Sequence, residues 1–249
     1  YDGISVGRTW TGDERSLELA AFAGINRLTY QNDGPPRRFD SRPVLGGGAT
    51  WRGDEVELRA HAALIRVGAL DPDSQAELDA LRALAGASPG IDRAIADNDT
   101  AGVHLRYAGM GARWTPGAWL VAGELAVVRS SGGTLPSGER AYLTLAHRWG
   151  DWQPHATWSR SWDRRRYDYG PPPPGLDALV AGLQREAYRS VLDQETISLG
   201  VRWDLAPRVA WKLQWDLSRI STNSGYLSGN GAVEGGWRSW FTTTIDWAF

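Results

Sequence analysis

Apolar and polar residues alternate one for one along much of this chain. The clearest run is Val209, Trp211, Leu213, Trp215 and Leu217, separated by Ala210, Lys212, Gln214, Asp216 and Ser218. Just before it, Ile197, Leu199, Val201, Trp203 and Leu205 alternate with Thr196, Ser198, Gly200, Arg202 and Asp204. Successive side chains of a strand point to opposite faces, so a period of two gives one apolar face and one polar face. Ala206-Pro207-Arg208 joins the two runs as a tight turn, and together they predict a β-hairpin. The same pattern predicts strands near 2–10, 17–27, 44–52, 55–66, 101–113, 118–129, 140–149, 152–162, 195–205, 208–220 and 238–249. It is clear in 55–66, where Val56, Leu58, Ala60, Ala62 and Leu64 oppose Glu57, Arg59 and His61. Gly46-Gly47-Gly48 erases it in the third strand, and Arg8 falls on the otherwise apolar side of the first.

The connections between these strands alternate in length. Thr11 to Ser16, Arg52 to Asp54, Thr115 to Gly117, Gly150-Asp151 and Ala206 to Arg208 are short. Residues 28–43, 67–100, 130–139, 163–194 and 221–237 are long. Short turns at one end and long loops at the other are the plan of an outer-membrane β-barrel, with the turns periplasmic and the loops extracellular. Two of the long loops carry helical spacing. Leu78, Leu81 and Leu84 predict a helix over 73–85 behind Asp71-Pro72-Asp73, and Leu179, Leu183 and Ala187 predict another over 176–192 behind the Pro171–Pro174 run.

Composition narrows the classes that fit. The formal net charge of -2 gives no basic field for nucleic acid. The chain has no Cys, which removes disulfides, thiolate metal sites and thiol nucleophiles. No apolar run approaches the length of a transmembrane helix, whereas alternating barrel strands keep mean hydropathy low. There are 14 Trp against one Met and four Phe, a bias that suits rings with one wet and one apolar end. Trp10, Trp51, Trp114, Trp119, Trp149, Trp152, Trp203 and Trp211 flank short turns, while Trp162, Trp237 and Trp240 lie near long loops. This clustering predicts two aromatic girdles, with Trp149, Trp152, Trp203, Trp211, Trp247 and Phe249 as the membrane-interface set on the short-turn side.

The chain ends on Trp240-Phe241-Thr242-Thr243-Thr244-Ile245-Asp246-Trp247-Ala248-Phe249, with Phe241, Thr243, Ile245, Trp247 and Phe249 on one face. This resembles the terminal strand of Gram-negative outer-membrane proteins, whose last Phe is recognised by the barrel-assembly machinery. Trp119-Leu120-Val121-Ala122-Gly123-Glu124 is similar to the "W-hydrophobic-x-x-x-E" strand of the Gram-negative porin superfamily. Ala146-His147-Arg148-Trp149-Gly150-Asp151-Trp152-Gln153-Pro154 resembles its "G-Y-R-F-G-x-W-x-P" hairpin, with Ala and His for Gly and Tyr. Residues 193–216 look like its "D-Q-x-T-x-S-L-G-x-R-Y-D" and "K-L-Q-Y-D" strands. The resemblance covers roughly 100–249, and more weakly 1–65. It implies an all-β, transmembrane antiparallel barrel over 1–249, working as a diffusion porin, monomeric or homotrimeric, without a cofactor. Family barrels have about sixteen strands. With the last strand running toward the periplasm, eleven strands start on the extracellular side, so the expectation is that about five N-terminal strands are missing here.

Placing the apolar faces outward puts Glu18, Glu57, Arg59, His61, His104, Arg106, Glu124, Arg148, His155, Arg202, Asp204, Lys212, Gln214, Asp216 and Asp246 in the lumen. The expected pore lining is Glu57, Arg59, His61, His104, Arg106, Glu124, Arg148, Arg202, Lys212 and Asp216. Pairing the two strands across the 67–100 loop with His61 beside His104 sets Arg59 beside Arg106, a basic ladder that would favour small hydrophilic anions. The expected partners are outer-membrane lipid and lipopolysaccharide, whose phosphates Arg160 and Arg164-Arg165-Arg166 could meet, together with small hydrophilic solutes. Two other classes compete. A barrel enzyme needs a Ser–His or Asp–His constellation, and His147 faces outward with no obvious Ser beside it. A soluble carbohydrate-binding β-protein would explain the Trp but neither the one-sided loops nor the terminal strand.

Overall fold

The computed structural model describes residues 2–30, 37–69, 72–163, 165–188, 191–222, 224 and 235–248. Eleven strands form one sheet, each hydrogen-bonded antiparallel to the next in chain order. They are β1 (Asp2–Thr11), β2 (Ser16–Tyr30), β3 (Arg37–Arg52), β4 (Val56–Val67), β5 (His104–Trp114), β6 (Trp119–Ser130), β7 (Gly138–His147), β8 (Trp152–Trp162), β9 (Gln194–Ala206), β10 (Val209–Ile220) and β11 (Gly236–Trp247). Among the described strands β1 and β11 each have a single neighbour, β2 and β10. All eleven predicted strands are present. The 209–217 run pairs with 197–205 as expected, Trp211 opposite Trp203 and Leu213 opposite Val201.

The register fixes two faces. Leu58, Met110, Leu125, Leu143, Leu199, Leu213 and Ile245 stand on the outer one, each between 36% and 70% exposed. Leaving that much apolar area bare is unfavourable in water and suits contact with hydrocarbon. The glycine run in β3 keeps the faces intact. Gly46 and Gly48 lie opposite Phe22 and Ala20, with Gly47 opposite Ala21 on the outer side. A Cβ on Gly46 would come within 2.4 Å of the Phe22 ring, so the missing side chain gives Phe22 its place. Arg8 does lie on the outer face, opposite Leu19, and its guanidinium stacks 5.0 Å from the Trp10 ring centre.

The long loops hold α1 (Pro72–Arg82), α2 (Pro89–Asn98) and α3 (Asp177–Tyr188). The first matches the expected 73–85 but ends earlier, at Arg82, and the third lies within the expected 176–192. The second was not expected, although Ser88-Pro89 is a start signal: Ser88 Oγ accepts from the Ile91 N–H at 3.2 Å and proline sits in the first turn. Ile91, Ala94, Tyr167, Tyr169, Val180, Ala187 and Val191 form a small buried core between α2, α3 and the chain at 167–169. The 131–137 loop is tied to it, because the Thr134 N–H donates to Asp97 O at 2.8 Å.

Candidate functional site

The site is the polar face of the sheet. Its best-defined part spans β4 to β7. Arg59 on β4 reaches across β5 and donates to Glu124 Oε2 on β6 at 3.1 Å and to the Tyr142 hydroxyl on β7 at 3.1 Å. His61 Nε2 lies 2.7 Å from the Tyr107 hydroxyl and 3.9 Å from Glu124 Oε1, and its ring stacks on Tyr107 with centroids 5.1 Å apart. Two glycines make this crossing possible. Opposite His61 stands Gly109 and opposite Arg59 stands Gly111. A Cβ on Gly109 would lie 2.5 Å from His61 Nε2, and one on Gly111 would lie 3.0 Å from Arg59 Nε. Without side chains at those positions, β5 becomes a floor over which β4 side chains lie flat.

The same device recurs on the far side of the wall. His155 on β8 crosses Gly200 on β9 and approaches Gln214 Oε1 on β10 at 3.4 Å, where a Cβ on Gly200 would sit 2.4 Å from the imidazole. Next to it Gln214 donates to both Asp216 oxygens at 2.9 and 3.1 Å, and Ser198 Oγ also donates to Asp216. Thr144 and Thr157 share a hydrogen bond of 2.8 Å. Toward the short turns the charges close into pairs. Arg148 and Arg202 both donate to Asp204, at 3.0 and 2.6 Å, while Arg52 donates to Glu18 and Glu57 at 3.0 and 3.1 Å. Lys212 meets Asp246 at 2.5 Å.

Glu57, Arg59, His61, Glu124, Arg202, Lys212 and Asp216 stand on the polar face, and Arg148 reaches it through Asp204. His104 and Arg106 do not. His61 lies opposite Gly109, five residues beyond His104, and Arg106 lies opposite Leu64 on the apolar face. An odd slip turns every side chain of a strand over. The cause is the loop, which closes unequally: Val67 and Val103 pair through a 2.8 Å bond, so β5 begins at 104 instead of 101. The Arg59–Arg106 ladder is thus absent, and Tyr107 and Arg113 occupy the polar face instead. The alternation of β5 itself carried that signal, since His104 and Arg106 share parity with Ala108, Met110, Ala112 and Trp114. Tyr142 and Arg140 on β7 were also missed, as polar residues in a strand whose alternation is weak.

The short-turn girdle is a continuous row of rings. Trp152 and Trp203 stack at 4.6 Å, Trp211 meets Trp203 at 6.4 Å and hydrogen-bonds Thr243 at 2.8 Å, and Trp149 bridges to Trp152. His147 is packed edge-on between Trp119 and Trp149, at 4.4 and 5.0 Å. Trp247 lies opposite Val209, whereas Phe249 falls outside the described residues. On the long-loop side Trp162 and Trp237 share the outer face, but Trp240 lies opposite Asp216 on the polar one. Arg160 pairs with Asp193 at 2.8 Å and Arg165 with the buried Asp163 at 2.7 Å, so neither is free for a phosphate; Arg164 lies outside the described residues.

One solved structure shares this arrangement across nearly the whole chain. The copper transporter OprC is 14% identical over 98% of this chain, with a TM-score of 0.50. The fold is that of a bacterial outer-membrane β-barrel. The barrel wall seen here spans 39% of OprC's length, about two fifths. The CymD monoaromatic hydrocarbon channel is 13% identical, covering 100% of this chain and 74% of that one, with a TM-score of 0.42. Pseudomonas aeruginosa OccK11 is 13% identical over 97% and 68%, with a TM-score of 0.43. No family model matches the sequence, and no curated protein matches it.

Proposed function

We propose that this chain lines a water-filled channel for passive diffusion of small hydrophilic solutes across the outer membrane. The observation that carries the reading is the division of the sheet: lipid-compatible side chains on one face, and on the other a wall of charged, amide and hydroxyl groups bonded to one another. Charged side chains facing hydrocarbon are costly, so this polar face requires water.

Most charges of the wall are matched, and those without an ion pair among the described residues, Arg113 and Arg140 against Asp216, are of both signs. Arg52 is matched by Glu18 and Glu57, Arg59 by Glu124, Arg148 and Arg202 by Asp204, and Lys212 by Asp246. A lumen of matched pairs discriminates weakly by charge, so the channel passes cations and anions with little preference. This replaces the anion bias that the Arg59–Arg106 ladder would have given.

The test is single-channel conductance of the full-length protein in planar bilayers, with the reversal potential measured across a KCl gradient. An ohmic pore with a reversal potential near zero is expected. A protein that migrates identically on gels with and without boiling, or that inserts without conducting, would remove the channel reading.

A further inference from the structure

Directly below the long loops, the outer face of β4 to β6 carries Arg66, Arg106 and Arg129 close together. Arg66 stands opposite His104, and Arg106 stands opposite Arg129. Like charges directly opposite on a sheet, as Arg106 and Arg129 are, destabilise it. Arg129 is relieved by Glu139 on β7, but among the described residues Arg66, His104 and Arg106 have no ion pair. Farther along the rim Arg160 is matched by Asp193 and Glu195.

Toward the short turns the same strands hold an apolar groove of about 710 Å³. Its floor is made of small residues, Ala112 and Gly123, and its walls of Met110, Leu125, Leu143 and Trp158. Met110 and Leu125 are opposite one another and 64% and 58% exposed. Arg106 lies four residues along β5 from Met110, about 13 Å at roughly 3.3 Å per residue.

We infer that this face binds a phosphorylated, multiply acylated glycolipid of the outer leaflet, its phosphates on Arg66 and Arg106 and an acyl chain in the groove. The charge decides the occupant. A second copy of the chain docked here would bury three guanidiniums against one carboxylate, which is strongly unfavourable. A phosphate monoester supplies the missing negative charge and takes bidentate hydrogen bonds from guanidinium groups. The inference rests on this face being embedded in the membrane, not on the channel conducting.

The experiment uses delipidated full-length protein in detergent, titrated with bisphosphorylated hexa-acyl lipid A and with its dephosphorylated form, and read by native mass spectrometry. The phosphorylated lipid should bind more tightly, and the double substitution Arg66→Gln with Arg106→Gln should weaken it by about tenfold or more. Arg66→Lys with Arg106→Lys should keep most of the affinity. Ala112→Phe, which fills the groove floor, should weaken both lipids, and millimolar inorganic phosphate should not displace either. The gel shift on boiling reports that each variant is folded, and unchanged conductance separates this site from the pore. Equal affinity of wild type and the Gln double variant, no preference for the phosphorylated lipid, displacement by phosphate alone, or cross-linking of a second copy through this face would each overturn the inference.

Discussion

At the scale of single residues, Arg59 is the side chain whose removal tells most about the wall. Its two bonds, to Glu124 and Tyr142, connect three strands across the floor left by Gly111. Arg59→Gln takes away the positive partner and leaves Glu124 facing the lumen with His61 3.9 Å away. The pair is partly exposed, so the stability cost is small, about 0–1 kcal/mol. The electrical effect is the informative one. The K+ over Cl− permeability ratio should rise by about two- to fivefold, the equivalent of about 0.4–1 kcal/mol. Reversal potentials measured in a salt gradient check this, and a shift toward anions would mean that Glu124 does not face the permeation path. Gly111→Leu should act on the same bond from below, since a side chain there occupies the space of the Arg59 stem. It should shift the permeability ratio in the same direction without removing any charge.

At the scale of elements, the loops behave as a unit separate from the sheet. Their core depends on the close approach of α2 to the chain at Tyr169, where a Cβ on Gly90 would meet the Tyr169 carbonyl oxygen at 1.6 Å. Gly90→Ala should therefore part α2 from that segment at a cost of about 1–3 kcal/mol, the usual range for overpacking. Faster proteolysis within 72–98 and 167–188, with an unchanged gel shift of the barrel, is the expected result. The core should also respond to pH. Burial pushes the Asp97 carboxyl above its ordinary value, partly opposed by Tyr169, Arg165 and Arg93. A carboxyl with a raised folded pKa favours the folded loops most while it is protonated, below about pH 4, and that contribution is lost as pH rises through the shifted value. Protection factors of α2, which correct for the intrinsic slowing of exchange in acid, should thus be higher at pH 4 than at pH 7, and Asp97→Asn should flatten the difference. The elements of the sheet were legible because a period of two survives without any knowledge of neighbours: Val209 to Leu217 and Ile197 to Leu205 declare both the strand and the face. Register across a long loop was not. It depends on α2, which opens at Ser88-Pro89, and on the turn before His104, which together move Arg106 to the other side of the sheet. The crossings over Gly109, Gly111 and Gly200 were illegible for a related reason, since a glycine in a strand becomes a floor only when its cross-strand partner is known.

At the scale of the whole molecule, the two faces of the sheet set opposite tolerances at neighbouring positions. Leu199 and Thr157 both lie mid-strand in the adjacent β9 and β8, but Leu199 points to the apolar side, opposite Ala156, and Thr157 to the polar side, opposite Ser198. Leu199 is 47% exposed although it is apolar, an arrangement that becomes favourable only when lipid replaces water around it. Arginine at Leu199 would place a guanidinium near the bilayer midplane and cost about 2–4 kcal/mol. Arginine at Thr157 would enter the hydrated wall within reach of the Asp216 side, giving up only the Thr144–Thr157 hydrogen bond, about 1 kcal/mol. Urea unfolding of the reconstituted full-length protein, followed by the boiling-dependent gel shift, should therefore separate the two variants by about 1–3 kcal/mol with Leu199→Arg the weaker. The comparison isolates the medium, because the same side chain is added at the same depth on both sides. If the order reversed, the apolar face would not be the lipid face. The lumen assignments, the selectivity argument and the lipid site would then fall together, because each depends on which side of this sheet meets water.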